Sequence, residues 1–291
     1  MKAKIIAIVN QKGGVGKSTT AQALTAGLLL KNFACLTIDL DAQGNLTYTL
    51  GAKTDEATIL EVLTGEVEAK DATQHLKNGD TIAANKALAG ADAFISETGK
   101  EYRLKEALQS LEEQYDYIII DTPPTLGILT VNALTACNSI IIPAQADIYS
   151  LQGIEQLANT VRSVRKYCNP NLKIEGILLT RYNSRSVLSK EVAELANQLA
   201  KKLGTRLFES TIREGVAVKE AQISQKSIFE YAPQAKVAQD YKAFIEELLS
   251  NKRKEQKNDL MYTDPRPVPE YRTVCRQKSY RRRLGPHQPG L

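Results

Sequence analysis

Lys4-Ile5-Ile6-Ala7-Ile8-Val9-Asn10-Gln11-Lys12-Gly13-Gly14-Val15-Gly16-Lys17-Ser18 is the stretch that decides the fold. Lys4–Val9 is a short β-rich apolar run, and it feeds a glycine-rich loop. From Ser18 to Leu30 the leucines Leu24, Leu28 and Leu29 recur at helical spacing. A glycine-rich loop between a strand and a helix can aim several backbone N–H groups at one anion, and the helix N-terminus adds partial positive charge. Gly13, Gly14 and Gly16 let the backbone wrap closely, Lys17 can reach β- and γ-phosphates, and the Ser18 hydroxyl suits Mg²⁺. Val15 and Thr19 complete the expected nucleotide contacts.

Working outward, a second strand covers Cys35–Leu40 and a third Thr81–Ala84; Tyr117–Ile120, Ser139–Ile142, Ile174–Leu179 and Arg206–Phe208 read as later ones. Helices are expected at Thr58–Leu63, Leu104–Tyr115, Lys190–Leu203 and Ala238–Leu249. Continuous apolar strand runs alternating with helices point to one doubly wound α/β domain with a mostly parallel sheet. Two strand ends carry carboxylates: Asp121 follows Ile118-Ile119-Ile120, and Asp39-Leu40-Asp41 closes the second strand. Ligands of open α/β sheets bind at the carboxyl ends of the strands, so Asp121 can hold Mg²⁺ through a water.

The 291 residues, 43% hydrophobic and 24% charged, carry a net charge of +5 that is unevenly spread. Residues 251–291 hold 11 Lys/Arg against 4 Asp/Glu and 5 of the 10 prolines, so a domain over 1–250 and a basic, extended or disordered arm over 251–291 are expected. Met1-Lys2-Ala3-Lys4 lacks the pattern of an export signal, and no apolar run approaches the ~20 residues that span a bilayer. A cytoplasmic protein with no membrane contact is expected. Cys35, Cys137, Cys168 and Cys275 are far apart and suggest neither a zinc site nor a disulfide framework. His75 and His287 have no motif around them.

The loop departs from the ordinary phosphate loop twice: Gln11 stands for the usual first glycine, and Lys12 adds a second lysine. Lys12 is badly placed to reach the γ-phosphate of its own nucleotide from the same side as Lys17, but it could reach a nucleotide on a second subunit. Lys12-Gly13-Gly14-Val15-Gly16-Lys17-Ser18 resembles the deviant Walker A loop of the ParA/MinD class of ATPases. Further likeness lies in Asp121-Thr122-Pro123-Pro124-Thr125-Leu126-Gly127, Asn132-Ala133-Leu134, Ile142-Pro143-Ala144-Gln145, Leu178-Leu179-Thr180 and Glu230-Tyr231-Ala232-Pro233, covering about residues 3–250. These look most like the ParA/Soj partition branch, of the short type whose first strand begins near Met1. The resemblance implies an ATPase using ATP and Mg²⁺, weak alone and stimulated by a ParB-like partner. It also implies an ATP-dependent homodimer that binds nonspecific double-stranded DNA. Lys12 takes the role of the lysine that crosses the dimer, Asp41 orients the attacking water in switch I, and Thr122-Pro123-Pro124 is switch II. Ala42 replaces the proline of the family's switch I pattern. Arg185 in Thr180-Arg181-Tyr182-Asn183-Ser184-Arg185 matches a DNA-contacting arginine; where a second is expected, Ala217 stands, with Lys219 and Arg213 as substitutes. The alternative is a MinD-like or protein-positioning ATPase without a DNA role, or a metabolic enzyme on the same fold.

Overall fold

The structure, a computed structural model, describes residues 2–262. Strands and helices alternate as β1 (Lys4–Ile8), α1 (Lys17–Leu29), β2 (Cys35–Asp39), α2 (Asn45–Leu50), α3 (Ile59–Thr64), β3 (Thr73–Gln74), β4 (Asp80–Ile82), α4 (Ala91–Phe94), α5 (Arg103–Leu108) and β5 (Tyr117–Asp121). They continue as α6 (Ile128–Ala136), β6 (Ser139–Gln145), α7 (Ile148–Tyr167), β7 (Lys173–Thr180), α8 (Val187–Lys202), α9 (Val216–Ile223), α10 (Ile228–Tyr231) and α11 (Lys236–Tyr262). The sheet runs β3-β4-β2-β5-β1-β6-β7 and is parallel throughout except between β3 and β4. The doubly wound expectation is met.

Alternation along each strand feeds two apolar layers. Ile6, Ile8, Tyr117 and Ile119 join Leu24 and Leu28 of α1 and Phe244 and Ile245 of α11. Ile5, Ala7, Ile118 and Ile120 join Leu134, Ile154 and Leu199 on the opposite face. Register then decides the position of the site: Ile8 pairs with Asp121, and Asp121 with Asp39. The start of the loop and both strand-end carboxylates therefore lie side by side at one edge.

Several elements differ from expectation. The helix expected over Leu104–Tyr115 stops at Leu108, because Gln109, Leu111 and Gln114 donate their backbone N–H three residues back, which tightens the chain into turns before β5. Arg206–Phe208 does not form a strand; beside β7 it makes one isolated bridge, Leu207–Ile177, with a second at Ile212–Thr180 further along. Among the unforeseen helices, α6 is buried along nearly all its length and so shows no amphipathic period. The chain divides into units of Met1–Asn251 and Lys252–Leu291. The backbone of α11 stays helical to Tyr262, past the expected end at Leu249. The rest of the expected basic arm, with Arg281-Arg282-Arg283, lies outside the described residues.

Gly176 of β7 marks a close approach. A Cβ there would lie 2.7 Å from Cε2 of Phe208, which is itself buried, and 3.0 Å from the carbonyl oxygen of Arg206. Backbone cannot yield as a side chain tip can, so Gly176→Ala is expected to destabilise the domain by about 2 kcal/mol. Urea unfolding followed by circular dichroism measures it; an unchanged midpoint refutes the close packing.

Candidate functional site

After β1 the chain turns through Asn10–Gly16 before α1 begins. Asn10 is fully buried and staples this turn: its amide donates to the Pro143 carbonyl (2.7 Å) and its Oδ1 accepts from the Lys12 N–H (3.0 Å). Gly14 and Gly16 have φ of +74° and +88°, which strain any residue with a side chain. A Cβ on Gly13 or Gly14 would meet nothing within 4 Å, so the loop backbone faces open space. The ends of two neighbouring strands support the loop: Thr180 Oγ1 donates to the Val15 carbonyl (2.8 Å) and Gln145 Nε2 to the Gly14 carbonyl (3.1 Å).

The two lysines separate. Lys17 is buried, and its ammonium donates to the Lys12 carbonyl at 3.3 Å. Burial lowers its pKa, while Asp121 and Asp41 act to raise it. An ammonium has three donors, so capacity remains for an anionic ligand. Lys12 points elsewhere: its ammonium lies 2.8 and 2.6 Å from the two carboxylate oxygens of Asp147 and 6.0 Å from the ring centre of Tyr149. Asp147 caps α7 through the Ser150 N–H at 2.9 Å. Burial would raise its pKa, but the hydrogen bonds from Lys12 and Ser150 outweigh that and hold it below the usual carboxylate range.

The carboxylates have distinct surroundings. Asp39, fully buried, accepts from Asp41 N (3.0 Å), Thr47 N (2.9 Å) and Thr47 Oγ1 (2.8 Å), and burial raises its pKa to about 6 against those bonds. These bonds tie the end of β2 to Thr47 in α2. Asp41 is partly exposed; its Oδ1 accepts from Gln43 N (3.0 Å) and it lines the cavity beside the loop. Asp121 is fully buried, and neither of its oxygens has a hydrogen bond of normal geometry. Burial and the neighbouring Asp39 raise its pKa well above the ordinary value, opposed by Ser18 and Lys17.

An open cavity of about 580 Å³ lies against the loop, a volume suited to a small ligand. Its walls are Gly13, Gly14 and Gly16–Thr19, then Asp41, Asn45 and Pro124, and opposite them Arg181, Lys219 and Gln222. Thr19 is tied to that last wall, since Gln222 Nε2 donates to its Oγ1 at 3.1 Å. Val15 is buried within the loop and its carbonyl is taken by Thr180, so it does not line that cavity.

Of the expected nucleic-acid residues, Arg185 is exposed and its backbone N–H donates to Asn183 Oδ1 (3.1 Å). Arg213 is engaged, with Nε and Nη2 on the Asp240 carboxylate at 2.7 and 2.8 Å. Lys219 faces the nucleotide cavity. Sequence reasoning missed Asp147 and Arg181. Asp147 is 135 residues from Lys12 and becomes its neighbour only through topology. Arg181 had one local signal, its place directly after the strand end at Thr180.

A nucleotide with its metal fits this donor set. Among the described residues no group of three or more His, Cys, Asp or Glu could cage a metal. Mg²⁺ commonly takes one or two protein ligands and completes its shell with phosphate and water. Ser18 and Asp121, whose buried oxygens lack a hydrogen-bond partner, are the residues that would hold such a metal.

A family model described as an AAA domain matches residues 3–174. The sporulation initiation inhibitor protein Soj of Bacillus subtilis (strain 168) is 42% identical over 253 residues, covering 85% of this chain and 99% of Soj. The chain belongs to the ParA/Soj family of partition ATPases. Solved structures agree with that fold. One described as cobyrinic acid a,c-diamide synthase from Mycobacterium smegmatis, with bound ATP analog and magnesium, is 34% identical at a TM-score of 0.72, covering 87% of this chain and 97% of that one. A plasmid partition protein from Borrelia burgdorferi is 28% identical at a TM-score of 0.69, covering 86% and 100%.

Proposed function

We propose that this chain is an ATP-switched partition ATPase whose site is completed by a second copy of itself. The observation that carries the reading is the division of labour between the lysines: Lys17 lies in the loop, while Lys12 is turned out onto Asp147. ATP brings the phosphoryl group to be transferred, and Mg²⁺ neutralises charge on its phosphates. Backbone groups of Gly13–Thr19 cradle the phosphates, Lys17 meets them from within the protomer, and Ser18 and Asp121 hold the metal, the latter through water. Asp41 orients the attacking water. Lys12 contributes its charge across the dimer, so an isolated protomer lacks part of its charge stabilisation and turns over slowly. A ParB-like partner raises that rate and releases the dimer from nonspecific double-stranded DNA.

Arg185, exposed and free of any ion pair among the described residues, is the proposed DNA contact. Arg213 and Lys219 are weaker candidates, one held by Asp240 and the other lining the nucleotide cavity. No helix among the described residues is long and apolar enough to cross a membrane.

Duplex binding by the full chain, followed by fluorescence anisotropy with ATP, ADP or no nucleotide, tests the reading. Binding is expected only with ATP and Mg²⁺, and affinity is expected to fall at least ~10-fold between about 50 and 200 mM salt as phosphate contacts release counterions. Equal binding with ADP refutes the switch. Flotation with liposomes in place of DNA binding favours the membrane-patterning alternative, and acceleration of turnover by a small molecule favours the metabolic one.

A further inference from the structure

A second cavity of about 440 Å³ opens next to the nucleotide site, lined by residues 181–185 together with Thr211, Arg213, Glu214 and Asp240. Three guanidiniums and two carboxylates share it. Arg213 and Asp240 cancel one another: both guanidinium contacts are shorter than 2.9 Å, and the Arg213 backbone N–H donates to the same carboxylate at 3.0 Å. A bidentate fork already filled by a carboxylate is not available to another anion. What remains is Arg181 and Arg185, both exposed and neither ion-paired among the described residues, opposed by Glu214 alone.

The segment carrying these arginines is held in place. Thr180 is bonded to the phosphate loop through Val15, and the Tyr182 N–H donates to the Ile212 carbonyl at 2.9 Å. Between these anchors Arg181 adopts φ +49°, a left-handed conformation unusual for a residue other than Gly, Asn or Asp. Asn183 Oδ1 fixes the backbone of Arg185. Ser184 and Thr211 bring hydroxyl donors to the same groove. Two unpaired planar forks beside hydroxyls, on an ordered turn, match the recognition chemistry of a phosphate oxyanion.

We propose that Arg181 and Arg185 form a clamp for one backbone phosphate of double-stranded DNA, with Glu214 as its opposing charge. The proposal rests on the DNA-binding reading above and replaces Arg213 and Lys219 as the second contact. Arg181 also lines the nucleotide cavity, so the same phosphate chemistry could belong to the nucleotide. The test separates the two sources.

The full chain, with ATP and Mg²⁺, is titrated onto a labelled nonspecific duplex over a range of salt, and separately onto a fluorescent ATP analogue. Arg181→Asn keeps a residue that tolerates the left-handed turn while removing the guanidinium. Arg181→Asn and Arg185→Ala are each expected to weaken duplex binding about 10-fold and to reduce the log–log salt slope by about 1. Glu214→Gln is expected to tighten duplex binding by about threefold. It alters an exposed side chain, so it carries the test if Arg181→Asn fails to fold. Unchanged duplex affinity and slope in Arg181→Asn, with weakened analogue binding, assigns Arg181 to the nucleotide and overturns the clamp. Unchanged duplex affinity in Glu214→Gln also counts against it. A wild type that ignores the duplex refutes the DNA reading itself, and the clamp falls with it.

Discussion

Lys12→Ala is expected to lower partner-stimulated ATP turnover by about 10³-fold while leaving ATP binding by the isolated protomer within a few-fold of wild type. A cation supplied across an interface to a phosphoryl-transfer site is worth about 10³ to 10⁵ in rate. Lysine is a point charge without the arginine fork, which places the expectation at the lower end. Protomer binding survives because the Lys12 ammonium meets Asp147, and the cavity wall is built from Gly13 onward. Lys17→Ala is the contrasting variant. Its ammonium is the buried one at the loop, so ATP binding itself is lost. Asp147→Asn removes the charge that holds Lys12 within its own protomer, and dimerisation is expected at an ATP concentration about threefold lower. Turnover with the partner, analogue binding and light scattering read the three effects separately. Stimulated turnover that survives Lys12→Ala refutes the crossing lysine. A Lys17→Ala variant that binds ATP normally refutes the division of labour.

What could be read in advance was whatever the chain encodes locally. The apolar run before Asn10, the glycines and Lys17-Ser18 are contiguous, and their geometry follows from strand, positive-φ turn and helix in sequence order. Asp39 and Asp121 were legible as strand-end carboxylates, but their direct pairing in register was not, since it depends on β2 and β5 being neighbours. α7 was hidden for a similar reason. Gly153 in its first half reads as a helix breaker, yet a Cβ there would lie 3.3 Å from Asn10 Oδ1, so glycine serves the packing of the helix on the loop. The ion pair of Lys12 with Asp147 depends on that same packing. Arg181 was overlooked because what sets it apart is a left-handed backbone angle and a place beside two cavities. Neither property has a local sequence signature.

Asp121→Asn is expected to stabilise the metal-free protein while nearly abolishing Mg²⁺-dependent turnover, and the two effects have one cause. The carboxylate is fully buried, unpaired and in register with a second buried aspartate, so the charged form is costly until a cation arrives. Its folded pKa lies above the unfolded value of about 3.9, so between these two values the native state binds more protons than the unfolded chain. Stability of the metal-free fold therefore falls as pH rises through that window. Asp39, raised to about 6, contributes in the same direction. An asparagine at 121 does not titrate and removes the repulsion on Asp39, so the fall should shrink. At pH 7.5 the variant should be more stable by about 1 to 3 kcal/mol, the scale on which a buried polar group without a hydrogen-bond partner destabilises. The same substitution takes away the anionic anchor for Mg²⁺, and turnover should fall by about 100-fold or more. Thermal melting in EDTA at pH 5 and 7.5, alongside a Mg²⁺ titration of ATPase activity, reads both sides. If Asp121→Asn melts earlier than wild type without metal, its carboxylate is a structural acceptor. If the variant keeps its Mg²⁺ response, the metal is held elsewhere.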